Sequence, residues 1–155
     1  MTSGKTCIIN QFAGLGDIIF IMPLVRRYID KGYRIVWPVV PAYVGISKHF
    51  PEVEFIDKTR FRIDYNSKAR VESESELIIP LRWSDQIVNV PYWRCMESKY
   101  LMEDVPLEEW RSSYWKRDYN SENRLFDLLG LSEGEEYCLV NNTFKTEMNG
   151  KVSIA

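Results

Sequence analysis

Apolar residues along this chain fall into short unbroken runs separated by stretches of helical spacing, the alternation expected of βαβ units around a parallel sheet. TCIINQ (6–11) predicts a buried first strand, RIVWPVV a second over 34–40, VEFID a third over 53–57, and LIIPL a fourth over 77–81. EYCLVN (136–141) predicts a fifth, and KVSIA (151–155) starts a further one. Between the first two runs, Ile18, Ile21, Met22, Val25 and Ile29 recur at helical spacing and Gly32 supplies a left-handed stop, so a helix should end near Lys31. Pro23 falls inside it. Because proline removes a backbone donor and crowds the preceding turn, an irregular first turn is expected, with regular helix starting close to Pro23.

Pro41 opens a helix that runs to about His49, with Pro51 just beyond it. Helical patterns return at about 94–103, from Pro106 to about Trp115, and at about 121–129 before Gly130. Residues 57–75 are polar, and the ESESE cluster at 72–76 has nothing to give a core, so a solvated loop is expected there.

Length and charge narrow the picture. At 155 residues the chain suits one domain with a real core and is too short for a two-domain enzyme. Its 20 basic residues against 22 acidic ones leave a net charge of −2, which provides no field for nucleic acid. Cys7, Cys95 and Cys138 are odd in number and far apart, which argues against a disulfide framework and a zinc site and points to a reducing, cytoplasmic setting. The Ile18–Val25 run falls well short of the ~20 residues that span a bilayer, and no cationic leader precedes it.

The candidate chemistry starts at NQFAGLGD (10–17). A dinucleotide fingerprint needs a third glycine where this chain has Ile19, and SGKT (3–6) precedes the strand and lacks the upstream glycine of a P-loop. Both nucleotide motifs fail. What remains is a strand, then Gly14-Leu15-Gly16-Asp17, then an apolar stretch with Pro23. This resembles the N-terminal motif of the heptosyltransferase-like glycosyltransferases, the ADP-heptose transferase family with the two-domain GT-B fold.

The resemblance implies a Rossmann-like, doubly wound parallel sheet over 1–135 as the acceptor-side domain, with 136–155 as the start of a second, truncated Rossmann-like domain. YCLVNN would be the first strand of that domain. It also implies that the chain is the acceptor half of an inverting, metal-independent enzyme. The donor-holding half would lie in a missing C-terminal domain or a partner chain, and the uncovered interface would be prone to self-association. The ligands implied are a nucleotide-sugar donor and a sugar acceptor, with no cofactor.

In the resemblance Asp17 is the general base, and Gly14, Leu15 and Gly16 lie against the sugar. Read from local sequence alone, Asp17 is a helix N-cap, and the two roles can coexist. A helix N-terminus also stabilises the carboxylate as the anion, which works against its use as a base. Arg82, just past the fourth strand, is either a donor fork for a hydroxyl or phosphate or a surface ion-pair partner. Trp83 is the one aromatic expected to touch a ligand, while Tyr92, Trp93, Trp110 and Trp115 are expected in the core or an interface. His49, the only histidine, reads as a structural residue at a helix C-terminus. Two other readings stay open: a non-catalytic module that binds a sugar or nucleotide, and an interaction protein completed by a partner chain.

Overall fold

The computed structural model describes residues 4–113, 115–132, 134–136, 143–145 and 151–153, the last two stretches by backbone alone. The chain divides into two compact units, Met1–Arg117 and Asp118–Ala155. The first is an α/β unit built on one open sheet, compatible with a Rossmann-like fold. Strands β1 (Thr6–Ile9), β2 (Arg34–Val39), β3 (Val53–Asp57) and β5 (Glu76–Ile79) run parallel, and the short β4 (Val71–Glu72) lies antiparallel on β5. The spatial order is β3-β2-β1-β5-β4. The chain therefore winds outward from β1 to β3 and then returns to the other side of β1, so the strand order reverses between β1 and β5. In open α/β sheets the crevice for ligands lies outside the carboxyl ends of the strands at such a reversal.

Strand chemistry follows from burial on both faces. From Ile35 to Val39 every residue of β2 is buried, and Cys7, Ile8 and Ile9 of β1 are within 1% of full burial. Pro38 would break a ladder in a central strand, yet the β1–β2 pairing stops at Ile8↔Val36, so beyond that point only β3 needs a partner. The Trp37 indole donates to the Gln11 carbonyl at 2.7 Å, and the Val40 amide donates to the Phe12 carbonyl at 2.9 Å.

Helix α1 (Leu15–Asp30) packs Ile18, Ile21, Met22, Val25 and Tyr28 onto the sheet. It corrects the expectation of an irregular first turn: the helix starts at Leu15 and Pro23 lies inside it. The fold accommodates the proline by supplying outside donors. Pro23 has no N–H for the Ile19 carbonyl, which instead accepts from the Ser113 hydroxyl at 3.2 Å, and the Tyr100 hydroxyl donates to the neighbouring Phe20 carbonyl at 2.5 Å.

Two other expectations change. The 57–75 segment is not all loop, because Val71–Glu72 pairs with β5 through a tight turn in which the Ser73 amide donates to the Glu76 carbonyl at 2.8 Å and the Glu76 amide to the Ser73 hydroxyl at 3.0 Å. The segments at Pro41–His49 and Leu107–Ser112 form 3-10 rather than α-helix. His49 is structural as expected, exchanging hydrogen bonds with the Lys116 backbone at 2.7 and 2.8 Å.

The second unit contains α4 (Tyr119–Leu129), capped by the Asp118 carboxylate at 3.1 Å from the Ser121 amide and stopped by Gly130 at φ 67°. It also holds the antiparallel pair β6 (Thr143–Lys145) and β7 (Lys151–Ser153). The strand expected over 136–141, with the YCLVNN likeness, lies outside the described residues apart from Glu136. Among the described residues no helix is long and apolar enough to cross a membrane.

Candidate functional site

The candidate site is the carboxyl edge of β1 and β5, where both strands continue as irregular backbone. The Asn10 amide donates to the Ile79 carbonyl at 2.9 Å, and the Arg82 amide donates back to the Asn10 carbonyl at 2.9 Å. This stitch carries the parallel pairing one step past the strands and fixes Asn10, Gln11 and Arg82 side by side.

Gly14 is the N-cap of α1, at φ 86° and ψ 104°, and its carbonyl accepts the first helical bond from Ile18 at 3.1 Å. Asp17 is therefore not the N-cap. It is the third helical residue, and its carboxylate folds back over Gly14 so closely that a Cβ there would lie 2.3 Å from Oδ2. Both the positive φ and the carboxylate reserve this position for glycine. Gly16 is different, since a Cβ there would meet nothing within 4 Å, and the Leu15 side chain faces solvent.

Asp17 is met by a residue that sequence reasoning missed. Lys99, on α3 (Cys95–Met102), is 3% exposed and places its ammonium 3.4 Å from Asp17 Oδ1. The same Nζ donates to Gln11 Oε1 at 3.2 Å and to the Leu81 carbonyl at 3.1 Å. Two hydrogen bonds and one ion pair thus compensate the buried charge. Gln11 is fixed in turn, because its amide nitrogen donates to the Ala13 carbonyl at 2.8 Å. The helix comes close enough through two small buried residues: the hydroxyls of Ser98 and Ser84, the latter on α2 (Ser84–Ile87), are 2.6 Å apart. Ser98, Lys99 and Tyr100 are consecutive buried residues, so no helical periodicity marks the lysine.

Arg82 and Trp83 stand on the other side of Asn10. The Trp83 indole donates to the Tyr65 carbonyl at 3.2 Å, and the Asn10 amide nitrogen reaches the same oxygen at 3.4 Å. The Arg82 guanidinium lies over the Phe12 ring at 4.3 Å and the Trp83 ring at 4.7 Å. Asn10 Oδ1 is buried and accepts no hydrogen bond. Exchanging the amide atoms would only turn an oxygen toward the Tyr65 carbonyl, so the unsatisfied acceptor, a cost of about 1–3 kcal/mol, belongs to this edge.

Of the two places expected for the remaining aromatics, core or interface, the core is excluded by their exposure. Tyr92 and Trp93 are 68% and 80% exposed, while Trp110 and Trp115, also exposed, lie against Phe20 and His49. The fully buried large rings are Trp37, Phe50 and Tyr100, with Phe12, Tyr28 and Phe55 nearly so. A separate concavity of about 390 Å³ beside Pro23 is lined by the Arg27–Glu109 and Arg26–Glu52 ion pairs, which satisfy each other and leave no unmatched group. Among the described residues no three His, Cys, Asp or Glu side chains converge.

The site thus joins a half-exposed carboxylate oriented by a buried ammonium to an arginine laid on aromatic rings, all at the reversal of strand order. No family model, no curated protein and no solved structure matches the chain.

Proposed function

We propose that the chain is the acceptor-side half of a heptosyltransferase-like glycosyltransferase of GT-B architecture, with Asp17 as its general base. The observation that carries this reading is the setting of Asp17. It stands at the carboxyl edge of β1, is about 30% exposed, and is held through Oδ1 by a lysine that is itself buried. Among the described residues no hydrogen bond is made to Oδ2, which leaves that oxygen to receive a proton.

In the proposed reaction an acceptor hydroxyl gives its proton to Asp17 while its oxygen bonds to the anomeric carbon of the donor. The bond from that carbon to the diphosphate breaks, its electron pair leaves with the nucleoside diphosphate, and the configuration inverts. Lys99 holds the carboxylate through one of its two oxygens, an orientation that favours proton transfer to the other.

The test is release of nucleoside diphosphate from a nucleotide sugar. The 155-residue chain alone should give none, since donor positioning supplies much of the catalysis. In a polypeptide that also carries a donor-binding domain, Asp17→Asn should lower turnover by roughly 10²–10⁴ with the fold intact. Near-normal turnover in that variant removes Asp17 from the mechanism. Tight, stoichiometric nucleotide binding by the chain alone overturns the half-enzyme reading in favour of a nucleotide-binding module.

A further inference from the structure

The same edge carries a group of positive charges for which transfer chemistry at Asp17 has no use. Phe12 is covered by two cations, Lys58 Nζ at 3.8 Å from the ring centroid and the Arg82 guanidinium at 4.3 Å. Lys58 also faces the Tyr65 ring at 5.9 Å, and Lys68 faces Trp83 at 5.9 Å. Phe12 and Tyr65 meet edge to face at 5.3 Å, so the three rings and three cations form one cluster.

None of Lys58, Lys68 and Arg82 forms an ion pair among the described residues. That contrasts with Arg26, Arg27, Arg34, Arg70 and Arg94, each of which reaches a carboxylate. Nor is acid scarce in a chain of net charge −2. Asp57, beside Lys58 in sequence, is committed elsewhere: Oδ1 accepts from the Thr59 amide and hydroxyl at 2.8 Å each, and Oδ2 lies 3.9 Å from Arg60.

Aromatic faces hold a cation in place through their quadrupole without neutralising it. Three like charges held this way repel one another and keep a positive field where carboxylates would have cancelled it. Beneath them Asn10 contributes a fully buried, unsatisfied acceptor on an amide bonded to the Tyr65 carbonyl, a second sign that this edge is not optimised for the free protein. Such a cluster is preorganised for a multiply charged oxyanion, and the planar fork of Arg82 suits two oxygens of one group.

We propose that Lys58, Lys68 and Arg82, seated on Phe12, Tyr65 and Trp83, form a binding site for the phosphate group of a phosphate ester at the carboxyl edge of the sheet. A dianion answers three cations better than the single charge of a carboxylate does. The inference deepens the glycosyltransferase reading in one respect: under that reading the phosphate belongs to the acceptor. Phosphate binding itself is independent of any transfer.

The experiment is a titration of the isotope-labelled chain, followed by the NMR signals of the Trp83 indole N–H and the Arg82 Nε–H. The probes are inorganic phosphate, glucose 6-phosphate, glucuronate and glucose, all at matched ionic strength. Inorganic phosphate and glucose 6-phosphate should give saturable shifts, glucuronate weaker binding, and glucose none. Arg82→Gln and Lys58→Gln should each weaken glucose 6-phosphate by about tenfold or more. Arg111→Gln, which removes another arginine lying on a tryptophan, should leave binding unchanged. Asp17→Asn should also bind as the parent does, so loss of transfer and loss of phosphate binding are separately observable. Absence of a saturable shift, an equal response in folded Arg82→Gln, or glucuronate binding as tightly as glucose 6-phosphate would overturn the proposal.

Discussion

Lys99 and Arg82 reach the same sheet edge, one from α3 and one from the end of β5, but different chemistry holds them. Lys99 is buried, donates to two protein acceptors and pairs with the Asp17 carboxylate. Arg82 is half-buried, meets no carboxylate among the described residues, and lies on two aromatic rings. The difference follows from water. An ammonium cut off from solvent must be compensated by fixed partners, whereas a guanidinium that still touches water keeps its hydration and lies on apolar surface at little cost. One cation is thus part of the fold, and the other is available to a ligand.

Substituting each cation tests that contrast most directly. Lys99→Met keeps the shape but takes the donor from two buried acceptors, Gln11 Oε1 and the Leu81 carbonyl. It should destabilise the chain by about 3 kcal/mol in denaturant titration, at about 1–3 kcal/mol for each acceptor. Arg82→Gln should change stability by no more than about 0.5 kcal/mol. Equal losses would erase the distinction.

Gly14→Ala sharpens it from the other side. Alanine is strained at φ 86°, and its Cβ would displace the Asp17 carboxylate from above. A loss of about 2 kcal/mol is expected from such a strained position. Because the displaced group is the partner of Lys99, combining this change with Lys99→Met should give less than the sum of the single losses. Additive losses would mean that Asp17 and Lys99 are not coupled.

A separate effect sets the pH range for these measurements. Burial pushes the Cys7 thiol up from 9.0 to about 12, with the Glu103 charge adding to the shift. The folded thiol therefore stays protonated where the unfolded one ionises. Its contribution to stability is fully present below pH 9.0 and is lost as pH rises toward 12, at up to about 1.4 kcal/mol per pH unit. Cys7→Ala should flatten that slope without abolishing it, since the buried hydroxyls of Tyr28 and Tyr100 are also raised above their ordinary values. An unchanged slope in the variant would clear Cys7 of any part in it.

What the sequence revealed of this molecule was decided by pattern length. β1, β2 and β5 were legible as apolar runs, β3 because Val53 and Phe55 alternate with exposed Glu54, and α4 because Gly130 stops it. Gly14 to Asp17 was found as a loop at a strand end for the same local reasons. β4 stayed hidden because Val71–Glu72 is exposed and too short to show alternation, and only pairing with β5 makes it a strand. Pro23 misled because its remedy comes from Ser113 and Tyr100, far along the chain. Lys99 was invisible for a related reason: a lysine in a polar stretch reads as solvated, and its burial depends on the small hydroxyls of Ser84 and Ser98. Arg82 was read as either an ion-pair partner or a ligand fork, and no carboxylate among the described residues pairs with it.

The proline in α1 has a consequence for how the chain can drift. With Pro23 in place, the Ile19 oxygen is a socket that only a donor from outside the helix can fill, and Ser113 fills it. Any exchange of Pro23 for an ordinary residue would close the socket from within, leaving position 113 free to lose its hydroxyl. The reverse order, losing the hydroxyl first, strands the oxygen. Positions 23 and 113 are therefore coupled: a hydroxyl at 113 has a carbonyl to serve only while position 23 is proline.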